Sequence, residues 1–197
     1  AKTGTDQVAS IWNAYKRWYH TQGGPFPAEA DLDKGLLAVP EMHNMRAPGN
    51  TCMGALRGDI PGTRTQPVNN SKGCGGVMRA APAGIVTDDA IQAYRLGCDL
   101  AALTHGHPTG WIAAGAFAAI ICELAQGVDP AAAVQTGLLL AKGEEGGDEV
   151  AQALGAAIST SEQPELSVTE IEKLGAGWTA EEALAISIAC FLTDLTP

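Results

Sequence analysis

The stretch Leu100–Ile121, LAALTHGHPTGWIAAGAFAAII, joins two apolar segments through one short polar corner. The segment before the corner continues an apolar pattern that predicts a helix over residues 88–103. Pro108 suits the first turn of a following helix, because its missing amide proton would have no partner there. That second helix is predicted over residues 109–126, ending at Gly127. Two long apolar helices joined by a tight corner therefore indicate a helical core.

Similar patterns continue on both sides of this corner. Apolar residues recur at every third or fourth position, and no alternating runs of β-branched residues indicate strands. We therefore predict an all-α fold in one domain spanning residues 1–197. Asn50 and Thr87 are the expected N-caps of two helices, and residues 58–71 are expected to form an exposed loop. The remaining predicted helices cover residues 5–19, 29–37, 51–57, 77–81, 130–142, 148–159, 165–174 and 180–192.

The charge balance limits the partners that the chain can have. Its 197 residues are 46% apolar and only 5% aromatic, with a formal net charge of −10. An acidic surface of this kind repels phosphate backbones, which disfavours binding to nucleic acids. A small anionic ligand remains compatible, because a local site can oppose the overall charge.

The cysteines and the apolar runs indicate a cytoplasmic protein. Five cysteines lie far apart, with no C-x-x-C pair, which is typical of reduced thiols in the cytosol. The first residues, AKTGTDQ, have no hydrophobic stretch of the kind that a signal peptide carries. The longest apolar run, Trp111–Ala125, includes Glu123 and is shorter than a bilayer-spanning helix. We therefore expect no membrane partner.

A glycine-rich segment, Asn69–Pro82 or NNSKGCGGVMRAAP, is the first candidate site. Gly73, Gly75 and Gly76 surround Cys74 just before a predicted helix. Exposed amide groups at such a point attract anions, and glycines let a ligand approach the backbone closely. The segment would then hold a phosphate or a ribose. The alternative is a tight loop where two helices cross, since the spacing fits neither a P-loop nor a dinucleotide fingerprint.

The second candidate is the corner THGHP itself. His105 and His107 could bind a ligand, act as acid and base, or only close the corner with hydrogen bonds. Metal binding by these two alone is not expected, because no third ligand stands at a convincing spacing. Thr87-Asp88-Asp89 is interpreted as a helix start, where the carboxylates favour the positive end of the helix dipole.

Five segments together resemble the ADP-ribosylglycohydrolase family over nearly the whole chain. That resemblance implies a compact, orthogonal all-α bundle that hydrolyses the glycosidic bond of ADP-ribosylated proteins or small molecules, usually with two Mg²⁺ ions. It implies that ADP-ribose lies against Gly73, Cys74, Gly75, Gly76, Met78 and His105. Ser71 and Lys72 are further expected to reach a phosphate. The segments are NNSKGCGGVMRAAPAGI, LAALTHGHPTGWIAAGAFAAII, AYKRWYHTQG, RAPGNTCMGAL and GWTAEEALAISIACFL.

The chain also departs from that family. In that family the metal ligands come from a Thr-Asp-Asp motif early in the sequence and an Asp-x-Asp-Ser/Thr motif near the end. Neither motif stands at its expected place in this chain. We therefore expect the bundle to be incomplete at both ends, a fragment or truncated member with no catalytic residue and no metal ligand of its own. Such a chain is expected to be inactive alone, and either to self-associate or to need flanking segments. The alternatives are a non-catalytic module that binds ADP-ribose or a protein, and a helical protein without a ligand.

Overall fold

A computed structural model of the chain describes residues 4–25, 35–163 and 166–193. Within these ranges no residue belongs to a β-strand, and one isolated antiparallel bridge joins Gly73 and Thr179. The all-α prediction is confirmed. The α-helices of these ranges are α1 Gly4–Thr21, α2 Asn50–Arg57, α3 Ala81–Ile85, α4 Ala90–Ala102, α5 Pro108–Ala125, α6 Pro130–Lys142, α7 Asp148–Ser161, α8 Val168–Glu172 and α9 Ala180–Thr193. Short 3₁₀ helices cover Gly35–Ala38, Pro40–Met42 and Val77–Arg79.

The central pair of helices is α4 and α5, which pack against each other where both carry small residues. A Cβ atom at Gly97 of α4 would lie 2.7 Å from the Ala114 carbonyl oxygen. A Cβ atom at Gly115 of α5 would lie 2.3 Å from the Cys98 sulfur. Glycine at both positions therefore lets the two helices approach closely.

The other helices surround α5 and bury most of it. Helices α3, α6, α7 and α9 all contact α5, and α7 also packs against α9. Alanine dominates the buried side chains of this cluster, which keeps the helices close together. A second, smaller cluster joins α1 to α4 through Leu96, Leu100 and Leu103. The site described below lies around the N-terminal ends of α5 and α9.

Helix α5 is also apolar enough, over 18 residues, to cross a membrane by length and composition alone. It is the one helix of the described ranges that meets this measure. However, 67% of that stretch is buried inside the protein. Packing against its neighbours thus accounts for the apolar character of α5 as a core helix.

Helix starts show which local predictions were correct. Pro108 begins α5 and Pro130 begins α6, as predicted, and Asp129 is the N-cap of α6. The predicted cap Thr87 is wrong, because Asp89 accepts hydrogen bonds from the amides of Ile91 and Gln92, and α4 begins at Ala90. Thr87 instead accepts a hydrogen bond from the Asp89 amide.

Two further boundaries differ from the prediction. Asn50 is the first residue of α2 rather than its cap, which is Gly49 and makes no side-chain hydrogen bond. The predicted helix at 165–174 is confined to Val168–Glu172 within the described residues. Residues 29–34 of the predicted helix 29–37 lie outside the described residues, and Gly35–Ala38 forms a 3₁₀ helix. Residues 58–71 contain no helix, as predicted.

Candidate nucleotide-sugar site

The glycine-rich segment and the corner between α4 and α5 lie in contact. We call residues Gly73–Gly76 the glycine loop. A Cβ atom at Gly75 would lie 3.2 Å from His105 Nε2, and one at Gly73 would lie 3.8 Å from the same atom. A Cβ atom at Gly76 would lie 3.1 Å from the Ala101 methyl group. Close packing against the corner therefore explains glycine at positions 75 and 76 without any ligand.

His105 lies beneath the glycine loop rather than on its open side. Its side chain is 1% exposed, so a ligand on the surface of the loop would not touch it in this structure. Burial, together with the nearby positive charge of Arg79, lowers the pKa of His105 to about 4. The imidazole is therefore neutral at pH 7 and acts as a support on which the loop rests.

Hydrogen bonds fix the orientation of this imidazole. The Arg79 guanidinium donates to the Thr104 hydroxyl oxygen, which lies 2.9 Å from His105 Nδ1. Because the guanidinium can only donate, the Thr104 hydroxyl proton is free to point at Nδ1. The other ring nitrogen, Nε2, faces Gly73 and Gly75.

The start of α9 forms one border of the glycine loop. The Cys74 amide donates to the Trp178 carbonyl oxygen at 3.1 Å, and Gly73 pairs with Thr179. Trp178 therefore borders the loop through its backbone, and this residue is 79% exposed. The sequence does not single out Trp178, because its exposure depends on the fold.

The predicted site residues therefore divide into two groups. Gly73, Cys74 and Gly75 are half-buried and Met78 is 71% exposed, so these residues can meet a ligand from solvent. Gly76 and His105 are buried, and they support the loop from beneath. The amide groups of Gly75 and Gly76 form no hydrogen bond with any part of the chain that the structure describes.

Ser71 and Lys72, expected to reach a phosphate, are already engaged within the protein. The Ser71 hydroxyl lies 3.0 Å from that of Thr51 and accepts a hydrogen bond from the Gly73 amide. The Lys72 ammonium donates to carboxylates of Glu149 on α7 and Glu181 on α9. The structure thus places Lys72 between two helices instead of at the surface of the loop.

A cavity adjoins the glycine loop at Ser71. Its volume is about 490 Å³, and its walls carry hydroxyl and amide side chains together with apolar ones. No charged side chain contributes to it, and Ile60 at its edge is 77% exposed. Uncharged hydroxyl and amide groups of this kind hydrogen-bond sugar hydroxyls. The lining residues are Asn50, Thr51, Gly54, Ala55, Gly58, Ile60, Val68, Asn69 and Ser71.

The described residues do not fit the two Mg²⁺ ions that the resemblance implies. Across them, no group of three or more His, Cys, Asp or Glu side chains converges on one point. Asp89 caps α4, and His107 caps α5 by accepting a hydrogen bond from the Thr109 amide. The interpretation of Thr87-Asp88-Asp89 as a helix start is confirmed by this geometry.

Comparison with known proteins assigns the chain to a family of hydrolases. The family model for ADP-ribosylglycohydrolase matches residues 1–196, so the match covers essentially the whole chain and is not limited to a central part. No curated protein and no solved structure was found to match the chain. With an all-helical fold, a glycine loop resting on the His105 corner and a family match over its length, the chain belongs to the ADP-ribosylglycohydrolase family.

Proposed function

We propose that the chain binds the ADP-ribosyl group of an ADP-ribosylated protein or small molecule at the surface of the glycine loop. The observation that carries this proposal is the half-buried Gly75, whose amide has no partner in the described chain, beside the exposed Trp178. An unpartnered backbone amide on a glycine can donate to a phosphate oxygen without a side chain in the way. An exposed indole provides a flat surface on which a base can stack.

The neighbouring cavity supports the same assignment. ADP-ribose carries two riboses as well as a base and a diphosphate, so its binding site needs neutral hydrogen-bonding groups beside the phosphate contacts. The cavity at Ser71 supplies such groups from Asn50 and Thr51, whereas the Asn69 amide is already bonded within the protein. It has a volume of about 490 Å³, which lies within the usual range for small-molecule sites.

Titration calorimetry with ADP-ribose tests the binding proposal. Wild-type protein should bind, and Trp178→Ala should weaken binding about fivefold or more, because stacking on an aromatic ring contributes about 1–3 kcal/mol per base. Trp18→Ala is the matched control, since Trp18 is a partly exposed tryptophan on α1. Absence of heat with the wild-type protein, or equal affinity of Trp178→Ala, would contradict the proposal.

The reaction of the family is hydrolysis, and the family is generally metal-dependent. A second experiment therefore follows the release of ADP-ribose from an ADP-ribosylated peptide with and without Mg²⁺. We propose that the chain by itself gives no turnover, because its described residues offer no group that would hold the metal. Binding without turnover favours the non-catalytic module, whereas steady release of ADP-ribose would establish the chain as an active hydrolase.

A further inference from the structure

Lys72 is the one residue next to the glycine loop whose side chain joins two other helices. Its ammonium group donates to Glu149 near the start of α7 and, at 2.7 Å, to Glu181 in the first turn of α9. The Thr109 hydroxyl at the start of α5 donates to the second oxygen of the same Glu149 carboxylate. One lysine therefore ties the loop to the first turns of three helices.

The partners of Lys72 differ in burial. Glu181 is 6% exposed and its second carboxylate oxygen has no hydrogen-bond partner among the described residues, whereas the Glu149 side chain is 46% exposed. A buried carboxylate is costly unless it is paired, so the Lys72 ammonium is the group that makes Glu181 tolerable at this position. The ion pair therefore holds Lys72 and Glu181 together, because moving the ammonium group away would leave the Glu181 carboxylate buried and unpaired.

Backbone bonds at the same place connect this ion pair with the candidate site. The Lys72 carbonyl oxygen accepts from the Ala180 amide at 2.8 Å, and the Cys74 amide donates to the Trp178 carbonyl oxygen at 3.1 Å. Residues 72–74 thus lie alongside residues 178–180, at the point where α9 begins. Since edge segments this short have few bonds of their own, a side-chain tie adds substantially to their rigidity.

We propose that Lys72 is a positioning residue, which holds the glycine loop and Trp178 in one fixed arrangement through Glu181 and Glu149. It acts on the ligand only through the loop, and in this it differs from a phosphate-binding lysine. We call the contacts of Lys72 with Glu149 and Glu181 the tie. The proposal rests on the proposed function for its ligand, but the tie itself is a property of the free protein. The two can therefore be tested separately.

Hydrogen exchange in the free protein tests the tie. Lys72→Met should raise the exchange rate of the Cys74 and Ala180 amides about tenfold or more, while amides in the centre of α5 stay protected. Lys72→Arg should restore most of the protection, since it keeps the cation. Lys173→Met is the matched control, because Lys173 forms a surface ion pair with Glu170. Unchanged exchange at Cys74 and Ala180 in Lys72→Met would overturn the proposal.

Binding of ADP-ribose then tests whether the tie positions the site. Glu181→Met removes a negative charge, so simple electrostatics predicts tighter binding of the anionic ligand. Loss of the tie predicts weaker binding, by about tenfold or more, in Glu181→Met as in Lys72→Met. Tighter or unchanged binding in Glu181→Met would overturn the positioning role.

The outcomes separate the two proposals. If the wild-type protein binds no ADP-ribose but exchange rises in Lys72→Met, the proposed function fails and the tie stands. If the wild-type protein binds ADP-ribose and Lys72→Met behaves like it in both measurements, the proposed function stands and the tie fails.

Where Lys72→Met does not fold, Glu149→Gln replaces it, because that side chain is half-exposed and its loss leaves the Lys72–Glu181 pair in place. Glu149→Gln should raise the exchange rate of the Cys74 and Ala180 amides by a smaller factor than Lys72→Met. Unchanged exchange at these two amides would overturn the proposal.

Discussion

The buried imidazole of His105 should make the protein lose stability between pH 7 and pH 5. Burial and the nearby Arg79 guanidinium hold the pKa of His105 at about 4 in the folded protein, against an ordinary value of 6.5. Between these two values the unfolded chain takes up a proton that the folded protein does not bind. The free energy of unfolding must therefore fall as the pH falls.

The size of the loss follows from the two pKa values. At pH 7 about a quarter of the unfolded molecules and almost none of the folded ones carry a protonated imidazole, so His105 lowers the free energy of unfolding by only about 0.2 kcal/mol there. At pH 5 the unfolded chain is mostly protonated at this residue and the folded protein is mostly not, which lowers the free energy of unfolding by about 2 kcal/mol. The contribution levels off only below the folded pKa of about 4.

Urea unfolding of the wild-type protein and of His105→Gln, followed by tryptophan fluorescence at pH 7, 6 and 5, measures this loss. Glutamine is uncharged throughout, so the variant should lose about 2 kcal/mol less than the wild type over this range. The other three histidines, His20, His43 and His107, are the same in both proteins, so they do not affect the comparison. Parallel pH dependences in the two proteins would refute the assigned pKa and with it the picture of a neutral support beneath the loop.

Further substitutions test the packing and the helix starts, each by urea unfolding at pH 7. Gly84→Ala should destabilise by about 1–3 kcal/mol, because its Cβ atom would lie 2.4 Å from the Ala118 carbonyl oxygen. Gly155→Ala, in α7 with open space around it, should stabilise by about 0.5–1 kcal/mol. Asp89→Ala should cost about 1 kcal/mol, since it removes the N-cap of α4. Gly73→Ala should leave stability within about 0.5 kcal/mol of wild type, since its Cβ would make only ordinary contacts with Ser71 and His105.

Helices could be predicted from the sequence wherever a residue with one strong local preference marks a boundary. Pro108 and Pro130 lack the amide proton that a helix interior needs, and both indeed begin helices. Thr87 and Asp89 are both good caps, so local chemistry alone cannot choose between them. In the structure, Asp89 caps the helix while Thr87 bonds back to the Asp89 amide. Where two neighbouring residues can both cap a helix, tertiary packing determines which of them does so.

The candidate site could be predicted only in part, for a related reason. The nearness of the glycine loop to His105 was expected from the family resemblance, because no spacing rule connects residues 30 positions apart. The exposed Trp178 and the buried Glu181 both lie more than a hundred residues after the loop that they border. Their place follows from the packing of α9 beside α7, which depends on many apolar contacts at once. A buried glutamate in particular has no local signature, since its burial is set by the lysine that it meets.

The two interpretations of the glycine loop, a ligand cradle and a tight crossing, do not exclude each other. Any side chain at Gly76 would press on Ala101, so glycine is required there whether or not a ligand binds. The Gly75 amide has no hydrogen-bond partner in the described chain, and the proposed site uses it as a donor to a phosphate. A loss of binding on substituting Gly76 would therefore say nothing about ligand contact, because the loop itself would shift. At Gly73 a Cβ atom would fit at 3.4 Å from its nearest neighbour, the Ser71 hydroxyl, so packing alone does not require glycine there.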